Sequence, residues 1–227
     1  MVPSDPPTER AARHVAATDG KPAGRRDAAI AGHRADEVAA RHALGGNDER
    51  AVAAGLGALA RMGAVSAEDL ATALTAGTPT VRRRAAELAA AHWRGNARLD
   101  ALLGRALDDD DPLVVEAACF ALGERRGPMG RTRAAEVVAR LSTVSADHPD
   151  AHVRESAVAA LGAMGDPGGL AAVLRALGDR PTVRRRAAVA LAAFDNEEAE
   201  AALRRCLQDR DWQVRQVAET LLDLPPT

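Results

Sequence analysis

The strongest cluster of chemically versatile side chains is the run D-H-P-D-A-H at positions 147–152. Histidine nitrogens and carboxylate oxygens at close spacing are ligands that Zn²⁺ and related ions accept. Asp150, however, is placed to cap a helix that Pro149 and His152 open, and no cysteine lies nearby. We therefore predict no metal site there. The sequence also lacks a Gly-rich phosphate loop, a G-x-S-x-G elbow and a C-x-x-C pair, so we predict no catalytic residue and no cofactor.

Two cysteines, Cys119 and Cys206, lie in apolar helical patterns too far apart to pair with each other. They provide no disulfide framework, which is typical of a reducing compartment. The N-terminal residues contain no apolar run like that of a signal peptide, and no later stretch has the length of a transmembrane helix. We expect a cytoplasmic protein with two free thiols, no membrane contact and no disulfide-linked partner.

Aspartate, arginine and small apolar residues recur at fixed spacing along most of the chain. Aligned on one Val, an Asp lies three residues earlier, an Arg follows directly, an Ala lies four residues later and a Leu usually eight. The intervals between anchors are 30, 33, 39, 30 and 31 residues, and the anchors are Ala51, Val81, Val114, Val153, Val183 and Val214. Steps of four place Val, Ala and Leu on one helical face, so each unit is predicted to begin with a helix that packs against its neighbours.

A second apolar helical pattern follows in each unit, after breakers such as Gly63 and Gly165-Asp166-Pro167. Alanine supplies 54 of the 227 residues and aromatic residues only 2%, which suits thin, closely stacked helices. A two-helix hairpin cannot bury its apolar faces alone, so successive hairpins must stack. The predicted fold is all-α, an α-solenoid of stacked two-helix repeats.

The limits of the repeat predict the domain organisation. Residues 1–24 are expected to form a flexible segment, 25–46 a degenerate capping helix pair, 47–222 the repeat array and 223–227 a tail. The longest interval indicates an insertion near 126–147.

The pattern D-x-x-V-R-x-x-A-x-x-A-L-G followed by G-D-P, cleanest from Asp150 onward, resembles the HEAT-repeat family in its short phycobilin-lyase variety. Aspartates at the helix starts are predicted to cap backbone N–H groups. The resemblance implies that the Arg after each Val forms a ladder with the Asp of adjacent repeats. The predicted caps and ladder residues are Asp111, Asp150, Asp211, Arg82, Arg154, Arg184 and Arg215, and Val115 breaks the ladder.

In the resembling family the second helix of each repeat lines the concave surface, where ligands usually lie. Counting back two residues from its last core Leu gives a basic row, Arg105, Arg175 and Arg205, with Arg41, Arg140 and Arg204 as accessory residues. Such a row could contact an acidic helix or chain, or could serve solubility alone. The triplets at 82–84 and 184–186 must each expose at least one Arg, as a solvated face or as a docking point for acidic groups.

Enzymes with the same repeats provide the alternative hypothesis. Trp93 and Trp212, each near an Arg, superficially resemble the alkylpurine DNA glycosylases, but the net charge of -2 provides no field for a polyanion, so nucleic acid is not expected. A phycobilin lyase needs a pocket with aromatic walls, and deoxyhypusine hydroxylases carry iron on His-Glu dipeptides, which this sequence lacks. We therefore expect a non-enzymatic scaffold that binds a protein or peptide, acidic in character, on its concave face. The alternative is a glycosylase-like or lyase-like HEAT-repeat protein.

Overall fold

In the computed structural model, residues 24–33, 36–92, 96–125 and 129–223 are described, and within these ranges the chain forms thirteen α-helices and no β-strand. The helices are α1 (Arg25–His33), α2 (Glu37–Leu44), α3 (Glu49–Arg61), α4 (Ala67–Ala76), α5 (Pro79–His92), α6 (Ala97–Ala106), α7 (Pro112–Gly123), α8 (Arg131–Asp147), α9 (Ala151–Met164), α10 (Leu170–Ala176), α11 (Pro181–Leu191), α12 (Glu197–Cys206) and α13 (Trp212–Leu221). The prediction of an all-α solenoid is confirmed. All but the last residue of the predicted N-terminal flexible segment and all but the first residue of the predicted tail lie outside the described residues.

Short polar side chains start most of the helices. Asp111, Asp150 and Asp211 each accept a hydrogen bond from the backbone N–H two residues further on, at 2.8–2.9 Å. Asp48 caps α3 in the same manner, and Asp36 caps α2 by accepting from the backbone N–H of Ala39, three residues further on. These contacts satisfy N–H groups that have no partner within the helix. The aspartates predicted as caps thus have that role.

The helices form two layers. The odd-numbered helices, here called the first helices, pack side by side from α1 to α13, and the even-numbered second helices cover one side of them. The core between the layers is aliphatic, and its largest fully buried side chains include Leu56, Leu99, Leu122, Leu161 and Leu191. The pair α1 and α2 packs on α3 in the same arrangement. The longest interval of the repeat is occupied by α8, which has 17 residues.

Glycines let the first helices approach one another closely. A methyl group at Gly162 in α9 would lie 2.8 Å from the Cα atom of Ala190 in α11, and one at Gly123 in α7 would lie 2.9 Å from Ala160 Cα in α9. The second helices touch one another much less. A stack that is more closely spaced in one layer curves toward that layer, so the first helices form the concave side.

We expect Gly162→Ala to destabilise the protein and Gly104→Ala to stabilise it. Alanine favours a helix over glycine by up to about 1 kcal/mol, and nothing lies within 4 Å of a methyl group at Gly104. At Gly162 the overpacking against α11 costs about 1–3 kcal/mol and outweighs that gain. Urea unfolding of both variants measures the two effects. Equal stabilisation by both substitutions would contradict the close packing of α9 and α11.

An arginine ladder joins successive repeats. Nε and one terminal nitrogen of the guanidinium donate to both carboxylate oxygens in the pairs Arg82–Asp109, Arg154–Asp179 and Arg184–Asp209, at 2.7–2.9 Å. The remaining terminal nitrogen of each Arg donates to a backbone carbonyl of the loop before its own helix. Each pair therefore fixes one inter-repeat loop against the next.

The ladder partners correct one expectation. The aspartates that cap the helices were expected to face the arginines, but the ladder uses other loop aspartates, two residues before the cap in the case of Asp109 and Asp209. The capping carboxylates of Asp111 and Asp211 accept instead from the backbone at their own helix starts. Arg215 donates to the Asp209 carbonyl instead. Val115 occupies the ladder position in α7, directly before the insertion.

The ladder makes stability sensitive to acid. Hydrogen bonds from the arginines hold the pKa of Asp109, Asp179 and Asp209 below the ordinary value. A carboxylate with a depressed folded-state pKa binds protons more readily when unfolded, so its contribution is present above the unfolded pKa of about 3.9 and is lost as pH falls through the lower folded value. We expect the free energy of unfolding to fall steeply below about pH 4.

Replacing the three ladder aspartates by Asn should make the free energy of unfolding less dependent on pH in acid, and it should also lower stability at neutral pH. Asparagine keeps the shape of the side chain but cannot titrate. The measurement is urea unfolding over a series of pH values, and Asp195→Asn, in an exposed turn before α12, is the control. An unchanged acid slope in the triple variant would show that other groups cause the acid sensitivity.

Candidate functional site

A basic groove lies across α1, α3 and α5 on the first-helix face, with a volume of about 490 Å³. Its floor consists of small residues, among them Ala53, Ala54 and Gly57, because larger side chains point to the core or the neighbouring helix. Arginines surround this floor: Arg25, Arg50, Arg61, Arg83 and Arg84. No carboxylate of the described chain is among the residues that line this groove.

The charge of the basic groove is incompletely compensated. Arg83 and Arg84 share one carboxylate, Glu87, at 3.4 and 3.0 Å. Within the described ranges, the side chains of Arg25, Arg50 and Arg61 make no hydrogen bond or ion pair. The Arg84 guanidinium lies over Gly57, where a methyl group would come within 2.7 Å of one of its nitrogens. Small residues thus leave room for arginines to lie flat along the groove.

An apolar groove lies further along the same face, across α7, α9 and α11, with a volume of about 290 Å³. Phe120 of α7 forms one wall and remains 55% exposed, while Ala159, Ala160 and Ala163 of α9 form the floor. Val189 of α11 occupies the same repeat position as Phe120 and is 43% exposed. Large apolar side chains are therefore exposed at this repeat position in α7 and α11, and Ala159 occupies it in α9.

Carboxylates border the apolar groove. Glu124 and Glu155 line it, and Glu155 accepts from Arg186 at 3.2 Å. The first-helix face thus changes from basic at its N-terminal end to apolar and partly acidic in its centre. A ligand that contacts both grooves would need a matching change along its length.

The predicted arginine row lies on the other layer. Arg105, Arg175 and Arg205 are exposed in the last turns of the second helices α6, α10 and α12. Arg175 lies beside a groove of about 420 Å³ between the C-terminal ends of α8 and α10, next to Arg154 and Asp179. The second helices were expected to line the concave side, and the close spacing of the first helices reverses that assignment. The role of the row in binding stays a prediction.

The accessory arginines all have carboxylate partners. Arg41 contacts Glu37 at 2.8 Å and Asp69 at 3.4 Å, and Arg204 contacts Glu200 at 2.6 Å. Arg140 forms an ion pair with Asp108. Because these pairs connect residues within a helix or between neighbouring repeats, they are structural contacts of the array.

A buried ion pair was not predicted from the sequence. Arg125, just after α7, donates to both oxygens of Asp100 in α6, at 2.5 and 2.9 Å, and both side chains are almost completely buried. The sequence contained an indication of a buried charge here. Asp100 lies three residues before Leu103 and seven before Leu107, and so it shares their apolar stripe. The pair holds the loop at the insertion against α6.

The side chains considered for metal or redox chemistry have structural roles. His148 Nδ1 accepts from the backbone N–H of Asp150 at 3.1 Å, and Asp150 caps α9. No group of three or more metal-ligating side chains occurs in the described part of the chain. Cys119 and Cys206 are free and buried. Burial raises the pKa of the Cys119 thiol to about 12 and also raises the pKa of Cys206, so neither is an activated thiolate.

The structure describes one of the two tryptophans. Trp212 begins α13 and is 60% exposed, and Trp93 lies outside the described residues. Among the described helices, none has the length and apolar character needed to cross a bilayer.

Two family models match the chain. The model for HEAT repeats matches residues 99–182, and the model for the PBS lyase HEAT-like repeat matches residues 183–209. Among curated proteins, no match is found. The matched residues run from α6 through α12 and include the insertion and the last two rungs of the arginine ladder.

Solved structures of engineered repeat proteins are similar in fold. One engineered protein aligns with a TM-score of 0.60 at 21% identity, over 83% of this chain and 95% of its own. A designed armadillo repeat protein in complex with the peptide (KR)4 aligns with a TM-score of 0.54 at 18% identity, over 88% and 96%. At these identities the likeness shows a shared architecture of stacked helices.

Proposed function

The chain is a HEAT-repeat protein, and from this premise we propose that it is a non-enzymatic scaffold that binds a protein or peptide partner along its first-helix face. The observation that carries the proposal is Phe120, which is half exposed beside the alanine floor of the apolar groove, with Val189 exposed at the equivalent position of α11. An aromatic side chain that is half exposed in a groove is a typical anchor for a partner, because its burial contributes a large share of binding free energy.

The arrangement of the first helices supports binding of an extended segment. Repeats present equivalent positions at regular steps, so a chain laid across them meets similar surfaces several times. The designed armadillo repeat protein of similar fold was solved with a peptide, which illustrates this mode of recognition. The peptide there is basic, whereas the N-terminal groove of this chain is lined by arginines.

A scaffold function also agrees with the titratable residues of the repeat, which have structural roles and need not take part in a reaction. The aspartates and arginines of the repeat are occupied in caps and ladder pairs, and the described cysteines are buried. We propose on this basis that the protein performs no chemistry on its partner. The glycosylase-like and lyase-like alternatives would require Trp93 or Trp212 in a site.

The test is a selection of random peptides against the protein, followed by binding to two variants. Phe120→Asp should abolish capture of the enriched peptides, because it removes the anchor and places a charge in the groove. Val38→Asp, at an exposed apolar residue of α2, is the matched control and should leave capture intact. If no peptide family is enriched, or if the enriched peptides bind Phe120→Asp as well as they bind the unaltered protein, the proposal is wrong.

A further inference from the structure

We infer that the basic groove across α1, α3 and α5 is the binding site for an acidic segment of the partner, a peptide stretch with several Asp or Glu side chains. This inference rests on the proposed function, since it names the chemistry of one part of the same partner. It assigns the contact to the first helices instead of to the arginine row on the second helices.

The basic groove has unused capacity for anions. Five arginines line it, and the contacting carboxylate, Glu87, is already shared by Arg83 and Arg84. Arginine offers donors in a planar fork that matches a carboxylate with two hydrogen bonds. Elsewhere in the array, arginines such as Arg82 and Arg184 satisfy that fork within the protein. The arginines at the rim of the basic groove form no such two-bond pair within the described part of the protein. Carboxylates of a ligand can therefore occupy the positions that Asp109 and Asp209 occupy in the ladder.

The shape of the basic groove favours an extended chain. Its floor includes the small residues Ala53, Ala54 and Gly57 of α3, and arginines come from α3 itself and from α1 and α5 on either side. The Nε atom of Arg83 is buried and lies 3.4 Å from a Glu87 carboxylate oxygen without forming a hydrogen bond to it. A ligand that lies on this floor can therefore place side-chain carboxylates on either side, within reach of different arginines.

Charge along the rest of the face favours a peptide over a nucleic acid. Glu124 and Glu155 line the apolar groove further along the first helices beside one arginine, Arg186, so a uniformly negative strand would gain little attraction beyond the basic groove. No aromatic side chain of the described chain lines the basic groove, whereas single-stranded nucleic acids are commonly held by base stacking on aromatic residues. A peptide can instead change from acidic to apolar within a few residues.

The distance between the two grooves predicts the spacing in the partner. The basic groove is centred on α3 and the apolar groove on α9, three steps along the first helices. Packed helices lie about 10 Å apart, so the centres of the two grooves are separated by roughly 30 Å along the stack. An extended chain advances about 3.3 Å per residue. The acidic cluster and the apolar anchor of the partner should therefore be separated by about nine residues.

The first experiment measures fluorescence anisotropy of a labelled oligoglutamate peptide with the full chain. The charge-reversal variant Arg25→Glu, Arg50→Glu, Arg61→Glu should bind it roughly tenfold more weakly or worse, and binding by the unaltered protein should weaken as salt is added. These side chains make no described contacts, and circular dichroism verifies that the variant folds. The matched control is Arg105→Glu, Arg175→Glu, Arg205→Glu, which makes the same change on the second helices and should leave binding within about twofold.

Equal loss in both variants, or no loss in the groove variant, would overturn the inference. Tighter, salt-sensitive binding of an oligothymidine by the same groove would assign it to nucleic acid and would also overturn it. Phe120→Asp separates the two proposals, because it should not affect binding of oligoglutamate. Loss of oligoglutamate binding in the groove variant together with unaffected peptide capture by Phe120→Asp would support the acidic site and refute the apolar one.

Discussion

Leu161→Asp is expected to unfold the array. Leu161 is 1% exposed in α9, at the repeat position that faces the second helices. Removal of a buried leucine side chain alone costs about 2–5 kcal/mol, and an unpaired buried carboxylate adds several more. Single domains have about 5–15 kcal/mol of total stability, so the sum approaches or exceeds what is available. Circular dichroism should show loss of most helical signal at room temperature.

Two further substitutions test whether the effect depends on the predicted core position and not on the introduction of an aspartate as such. Leu191→Asp changes the equivalent position of α11, which is also 1% exposed, and should have the same effect. Ala163→Asp introduces the same residue into α9 at an exposed position and should leave the helical signal and the melting temperature close to those of the unaltered protein. Full helicity in Leu161→Asp would mean that the predicted register is wrong.

The fold could be predicted because the same apolar pattern recurs at nearly constant intervals along the chain. The anchors Val81, Val114, Val153, Val183 and Val214 are all at most 4% exposed, and the leucines eight residues after Val114, Val153 and Val183 are buried with them. One such stripe has several interpretations, but five stripes at nearly constant intervals allow only a stack of hairpins. The caps were predictable for the same reason, since each Asp precedes a helix whose start the repeat already fixes.

The surface was predicted less well, because which layer becomes concave depends on the distance between helices. Contacts between glycine and alanine, such as that of Gly162 with Ala190, set this distance. The repeat pattern in the sequence identifies the core positions, but it does not show which pairs of helices pack most closely. The arginines of the basic groove come from three separate helices. Arg25, Arg50 and Arg61 have no common motif, and only the stacking order brings them to one groove. The sequence indicated only that these arginines lie on the helical face opposite the apolar core residues.

Asp100→Ala is expected to destabilise the protein by about 3–5 kcal/mol, the usual effect of removing one member of a buried ion pair. The substitution leaves the buried Arg125 guanidinium without the carboxylate that accepts from two of its nitrogens. Because α6 and the loop after α7 are held together by this pair, the loss should also loosen the packing of α6 against α7. Thermal and urea unfolding measure the stability, and hydrogen exchange of α6 amides locates the change.

A second ion pair on the same helix provides the control. Arg98 of α6 pairs with Glu68 of α4, and both side chains are more than half exposed. Glu68→Ala should change stability little, because an exposed pair gains little in water and loses side-chain freedom when it forms. If the Asp100 and Glu68 variants lose similar stability, burial is not what makes the Asp100–Arg125 pair important. A large difference would show that the insertion depends on a charged contact that repeat positions alone do not specify.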